Sequence, residues 1–282
     1  RRFKLARSQA LAWECYVLEA PPPESLVSPM LRQAEPAILG TSAGASFGAV
    51  LAILTGFVQV GSLGAITCGA VGALLATSLT FKLAAIRGAL SSFALIIVGI
   101  AVSAIFTSFV GIASAMVSRA DARSISFWSF GSLALVTPDN LIGIAVTTVI
   151  GIAIAWIIAP ALDRLSLGDA TAFHLGIDVG RVRFIALVAL SVLAGGAVST
   201  VGSIAFIGLA APHIARFVYG PIHRNLIAHT AIIGALLVVV ADTLSRSIAE
   251  PSELPIGLVT SLIGAPVLIA LVAVKNNVWK TQ

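Results

Sequence analysis

The chain has 282 residues, 58% of them hydrophobic, with 17 Lys and Arg against 12 Asp and Glu and a net charge of +5. Charged side chains make up 10% of it, where a soluble domain carries about 25%, so a water-soluble globule and a disordered chain are both excluded. The basic residues stand singly between apolar runs, a distribution that orients a membrane protein and does not build a nucleic-acid face.

Arg1 to Gln33 mixes charges, Trp13 and Pro21-Pro22-Pro23, with no apolar stretch long enough to span. It is expected to form a non-spanning cytoplasmic stub (1–33), as a tail or a surface amphipathic helix; its basic start lacks the apolar core of a signal peptide. A transmembrane domain is expected over 34–274 and a cytoplasmic tail over 275–282. Cys15 and Cys68 are too few and too far apart for a disulfide framework or a metal site.

Uncharged runs place the crossings. Between Glu35 and Lys82 lie 46 residues without a charge, about 69 Å of helix, which is two passes of a core about 30 Å thick. The turn between them is expected at Gly56 to Gly64. Arg87 to Arg119 encloses 31 uncharged residues and Asp139 to Asp163 encloses 23, one span each. Arg183 to Arg216 encloses 32 and is read as two spans turning at Gly195-Gly196…Gly202. Arg224 to Asp242 and Glu253 to Lys275 supply one more each. The sum is about eight helices in an all-α polytopic fold. With both termini inside, 14 Lys and Arg face the cytoplasm and three, Arg119, Arg123 and Arg246, face out, as the positive-inside rule requires.

Within these spans, Gly61, Ala65, Gly69 and Ala73 recur at every fourth position and form a face for close helix packing. Ser103, Thr107, Ser114 and Ser118 fall within an arc of about 60° at helical periodicity. They either line a translocation path or bond back to their own helix. Asp242 and Arg246 stand at i, i+4, the spacing of a direct ion pair, either structural or at the outer mouth. Glu250 to Pro255 reads as a short outer loop between helix-ending and helix-starting prolines.

Chemistry-bearing motifs are scarce. The chain contains no GxxxxGK[ST] loop, so it is not expected to hydrolyse nucleotide, and HExxH and paired-Cys motifs are absent. His174, His213, His223 and His229 have no metal-ligand spacing on one helix face, so neither a metal nor a cofactor is expected on this chain. The most informative segment is Leu165 to Arg183, LSLGDATAFHLGIDVGRVR. Gly168-Asp169 and Gly176 bracket a short helical pattern whose Ala172 and Leu175 are expected to share an apolar face. A helix this short is marginal alone, which points to a docking element held by a partner.

LSLGDATAFHLG, then GSIAFIGLAAPHIARFVYGPIHR (202–224), then ADTLSRSIAEPSELPIGLVTSLIGAPVLIALV (241–272) resemble, in order and spacing, the permease subunits of ABC importers for iron chelates, haem and cobalamin. AEPAILGTSAGASFGAVLAIL (34–54) and FWSFGSL (127–133) look like the same family. The resemblance covers about 34–274 and implies that Gly168, Asp169, Ala172, Leu175 and Gly176 form the coupling element seated on an ATPase subunit. Pro212, His213, Arg216, His223 and Arg224 would make a second cytoplasmic loop near that interface. Trp128, Gly131, Ser132 and Arg246 would lie at the outer face with Glu253, Leu254, Pro255 and Gly257, where a substrate-binding protein docks. The Ser103 to Ser118 stripe would fall in the helix lining the pathway.

Family members have ten spans and an NPLAxP block, of which this chain carries Ala34-Glu35-Pro36; the first two spans are expected to be lacking. The resemblance thus implies a multi-pass cell-membrane permease, not itself an enzyme, that imports a ferric siderophore or haem. Its partners would be two copies of an ATPase subunit holding ATP-Mg, an extracytoplasmic binding protein, a second permease copy or paralogue, and membrane lipid, with no nucleic acid. Cobalamin import, a secondary transporter or channel, and a non-transporting remnant are the competing readings.

Overall fold

The computed structural model describes residues 40–55, 62–85, 92–133, 136–248 and 254–266. Within them all regular elements are helices: α1 (Thr41–Leu54), α2 (Leu63–Ala85), α3 (Ser92–Ala115), α4 (Arg119–Ser129), α5 (Pro138–Leu165), α6 (Asp169–His174), α7 (Val179–Val201), α8 (Ile207–Tyr219), α9 (His223–Ile248) and α10 (Ile256–Pro266). The stub 1–33, the tail 275–282, Glu250 and Glu253 lie outside the described residues, as does Gly61.

Among the described residues, five helices, α2, α3, α5, α7 and α9, are long and apolar enough to cross a membrane, where about eight are expected, and α1 and α10 are shorter apolar helices. All-α architecture holds. Of the turn expected at Gly56 to Gly64, residues 56–61 lie outside the described residues, and Gly64 already belongs to α2. One expectation is corrected: no turn occurs at Gly195-Gly196. α7 runs through both glycines to Val201, and the break comes at Gly202, with φ 78° and ψ −172°. The next piece, α8, has 13 residues, about 20 Å, short of a full crossing. It starts at Phe206 in a left-handed conformation, φ 67°, and a Cβ on Gly264 of α10 would collide with that Phe206 side chain.

The core is made of small residues brought to backbone contact. A Cβ on Gly44 would strike the Gly72 carbonyl, one on Gly48 the Cys68 carbonyl, and one on Gly195 the main chain of Ala70. These contacts join α1 to α2 and α2 to α7. Gly196 faces Thr147 and Gly151 faces Leu193, joining α7 to α5. Ala45, Ala49, Ala65, Ala73 and Ala76 are wholly buried, so the Ala65-Gly69-Ala73 ridge packs as its spacing predicts. Lipid offers little hydrophobic drive between spans, and close backbone approach supplies dispersion contacts instead. Hydroxyls add bonds where carbonyls are within reach: Thr41 and Thr77 meet at 2.9 Å, and Thr77 also donates to the Ala73 carbonyl at 2.7 Å.

α2 and α7 are the central spans, with 44% and 39% of their crossing windows buried, against 11% for α3 and α9. The helix starts follow local chemistry. Pro138 at the first turn of α5 follows Thr137, where a missing N–H costs nothing. The Asp178 side chain accepts the Arg181 N–H at 3.0 Å and caps α7.

Candidate functional site

The helix directions collect two sets of residues at opposite ends of the bundle. At one end lie the C-termini of α2, α5 and α8 and the N-termini of α7 and α9, which carry Lys82, Arg164, Arg216, Arg181, Arg183 and Arg224. At the other lie α4 with Arg119 and Arg123 and the C-terminus of α9 with Arg246. The charge asymmetry read from the sequence is thus one of position in the fold among the described residues.

The basic end presents α6. Gly168 and Gly176, both at positive φ, bracket this six-residue helix as the sequence predicts. Its apolar residues do not share one face, which corrects the expectation for Ala172 and Leu175. Ala172 is 0% exposed, whereas Leu175, just past the helix, is 52% exposed. Phe173 is 72% exposed and Leu167 is exposed beside it; neither stood out in sequence, because outward direction within so short a helix has no periodic signature. Asp169 is held by Arg183, whose Nη2 donates to both carboxylate oxygens at 2.8 and 2.9 Å.

At the same end of the bundle, the segment 202–224 proves to be mostly helix. Pro212, His213 and Arg216 lie on α8 and His223 and Arg224 open α9, so the expected second loop shrinks to residues 220–222. Asp163, at the end of α5, accepts both the backbone N–H of His223 (2.9 Å) and a bond with its Nδ1 (2.6 Å). The Asp163 carboxylate so caps the start of α9, where backbone N–H groups would otherwise lack partners. The Arg224 guanidinium lies 5.6 Å from the Trp156 ring centroid, a cation–π distance. His229 stacks on Tyr219 at 3.5 Å and bonds the Asn225 carbonyl. Arg216 Nε is buried without a hydrogen-bond partner among the described residues. The described residues hold no cluster of three His, Cys, Asp or Glu side chains.

At the opposite end three chain segments meet through their main chains. The Ser132 N–H donates to the Val201 carbonyl (2.9 Å), that of Ile256 to the Gly131 carbonyl (2.9 Å), and that of Gly257 to the Phe130 carbonyl (3.0 Å). A Cβ on Gly202 would overlap the Trp128 carbonyl, and one on Gly257 the Phe130 carbonyl. FWSFGSL, GSIAFIG and ELPIG therefore build one junction. Trp128 is 4% exposed; its ring packs with Ala49 and Val50 over Val110 and Ala113. Trp128 and the buried Ser132 thus support this end of the bundle from beneath, while Phe130 is exposed. Pro255 precedes the turn of α10, and its carbonyl accepts the Leu258 N–H at 3.1 Å. Arg246 Nε donates to Asp242 at 3.0 Å, the pair the spacing predicts.

The hydroxyl stripe is shorter than expected. Ser103, Thr107 and Ser114 lie on α3, but Ser118 falls beyond its end at Ala115. Ser103 and Ser114 donate back to the Gly99 and Val110 carbonyls at 2.8 Å each, and Thr107 is exposed.

A family model described as the FecCD transport family matches residues 32–274. The iron(3+)-hydroxamate import system permease protein FhuB of Bacillus subtilis is 37% identical over 235 residues, 83% of this chain and 60% of that protein. The iron(3+)-hydroxamate import system permease protein FhuG of the same organism is 38% identical over 252 residues, 86% of this chain and 74% of that protein. A solved structure described as an inward-facing conformation of a metal-chelate type ABC transporter matches with a TM-score of 0.74 at 30% identity, covering 86% of this chain and 77% of that one. This chain spans less than two thirds of FhuB and about three quarters of FhuG.

Proposed function

The chain belongs to the FecCD transport family, and we propose that it is the membrane permease subunit of an importer carrying an iron chelate, a ferric siderophore or haem, into the cytoplasm. The observation that carries this reading is α6. A six-residue helix projects Phe173 and Leu175 outward from the basic end of the bundle, where positive-inside placement puts the cytoplasm. Exposed apolar side chains beside so many cations suit a protein partner better than acyl chains.

In this reading the basic end is the ATPase-facing surface. Leu175, with Phe173, enters the partner's groove; Gly168 and Gly176 set the turns; Asp169 and Ala172 hold the element from within. His213, Arg216 and Arg224 flank it. The other end, where Arg246 is exposed and Gly131, Pro255, Trp128 and Ser132 lie buried beneath the surface, receives a substrate-binding protein, a role that the sequence also assigns to Glu253. Ser103, Thr107 and Ser114 of α3, with Ser118 just beyond it, line the path between two permease copies across the least buried spans. Residues 34–274 form the permease domain of a cell-membrane protein with both termini cytoplasmic.

Transport follows from alternating access. A change of open side needs a source that binds the two states with different free energy, and ATP-Mg on two copies of the ATPase subunit supplies it. No cofactor is required on this chain.

The test is ATP hydrolysis by the permease reconstituted with its ATPase and a binding protein loaded in turn with ferric siderophore, haem and cobalamin. Stimulation by a ferric siderophore or by haem is expected. Stimulation by cobalamin alone would reassign the cargo within the family, and an assembled complex that responds to none would refute the importer reading.

A further inference from the structure

We propose that Arg183 is a positioning residue that ties α6 to α7, so that a displacement of α6 is carried along α7 to the junction at the opposite end. The inference rests on the reading of α6 as the ATPase-facing element and adds the part that makes α6 a handle on the bundle.

A helix of six residues has too few internal bonds to hold itself in place. Its C-terminal side is closed by main-chain bonds, Leu175 N–H to Thr171, Gly176 N–H to Phe173 and Ile177 N–H to Ala172, each 3.0 Å. Ala172 is buried. On its N-terminal side a run of main-chain bonds, Gly168 N–H to Leu165 and Ala172 N–H to Gly168 among them, leads back to α5, but none of these bonds ties α6 to α7. Arg183 supplies a side-chain tie between the two helices at the first residue of α6, where it grips both oxygens of Asp169 across 14 residues of chain.

The neighbouring arginine is differently employed. Arg181 gives its backbone N–H to Asp178 (3.0 Å) and places its Nε 3.7 Å from the same carboxylate. Arg181 thus serves the cap of α7, and Arg183 is the one that reaches back to α6.

From Arg183 onward the connection is unbroken. α7 continues through Gly195-Gly196 to Val201, so the helix as a whole is about 34 Å long. Val201 then accepts the Ser132 N–H at the junction of α4, α7 and α10. A helix fixed at two points transmits a push, whereas one fixed at a single point pivots and absorbs it. The rival account is an exposed ion pair of no consequence, which is common for such pairs.

Two measurements separate these accounts. In proteoliposomes holding the permease with its ATPase and binding protein, uptake per ATP hydrolysed is compared for wild type, Arg183→Gln and Arg183→Lys. Arg183→Gln is expected to lower the ratio by about two- to fivefold, the scale of a well-formed surface pair, with hydrolysis itself nearly unchanged. Arg183→Lys, which keeps the charge, is expected to recover part of it. Hydrogen exchange of residues 169–176 in the permease alone is the second readout, and faster exchange in Arg183→Gln is expected. An unchanged ratio, or unchanged exchange, would overturn the role of Arg183. A wild-type permease that binds no ATPase would instead overturn the importer reading, and the exchange measurement would still decide whether Arg183 holds α6.

Discussion

Gly69 and Ser199 fit as knob and socket: a Cβ on Gly69 would occupy the place of the Ser199 hydroxyl. Ser199 is wholly buried and its Oγ has no hydrogen-bond partner among the described residues. The contact is therefore one of shape between α2 and α7. Gly69→Ala, usually stabilising inside a helix, is expected to lower stability here by about 1–3 kcal/mol through overpacking. Ser199→Ala is expected to be neutral or slightly stabilising, because it removes an unsatisfied polar atom. Gly69→Ala combined with Ser199→Gly should recover most of the loss. Thermal unfolding in detergent measures all three, and additive effects would show that the two residues do not meet.

Gly202 and Gly220 offer a controlled comparison. Their conformations are nearly the same, φ 78° and ψ −172° against φ 84° and ψ −175°, a region open essentially to glycine alone. A Cβ on Gly202 would overlap the Trp128 carbonyl, while one on Gly220 would meet open space. Alanine at either site should cost about 1–3 kcal/mol in backbone strain. Only Gly202→Ala should in addition break the junction, so it is expected to be clearly the more damaging. Equal losses in the two variants would mean that the approach to Trp128 carries no weight.

Asp163 serves two bonds of His223 at once. Asp163→Ala leaves the first N–H of α9 without that acceptor and is expected to cost about 1–2 kcal/mol, the scale of a lost helix cap. Asp163→Asn retains an acceptor oxygen and should cost less. Protease susceptibility around residues 220–222, together with the unfolding temperature, reads out the difference. If Asn proves as harmful as Ala, the carboxylate charge matters and the cap does not.

Leu175 and Phe173 are exposed on the basic end, so their replacement should leave the fold alone. Phe173→Asp and Leu175→Asp are each expected to change stability by less than about 0.5 kcal/mol, as surface substitutions do, while sharply reducing copurification of the ATPase and uptake. Ala172→Asp, by contrast, buries a carboxylate and should destabilise the chain itself. Normal uptake in both exposed-site variants would remove the docking assignment.

The spans were largely legible because charge is expensive in lipid. The uncharged runs that contain α2, α3 and α5 announced those helices, and the Asp242–Arg246 pair followed from helical spacing alone. Glycine was the source of the main misreading. Gly195-Gly196 looks like a turn, yet each glycine meets a neighbour, Ala70 on one side and Thr147 on the other. A glycine that permits close packing and one that permits a turn are the same letter, and only the partner helix distinguishes them.

Direction was the other gap. Trp128 is expected at an exposed face, but its block lies at the end opposite the basic one with the ring turned inward. Nothing in a run of mixed aromatics and serines says which of them faces the core. The same holds for Phe173, whose exposure depends on how α6 is seated and not on its own neighbours in sequence. Leu165 to Arg183 was nonetheless recognisable as a short helix between glycines, since those stops are local.

Three main-chain hydrogen bonds among the described residues fasten the junction of α4, α7 and α10. Such a fastening is indifferent to the chemistry of the residues it joins, provided that the glycines stay small. The exposed Phe130 above it can therefore be re-lettered without loosening the helices beneath. This end of the bundle can change what it displays while the scaffold stays the same.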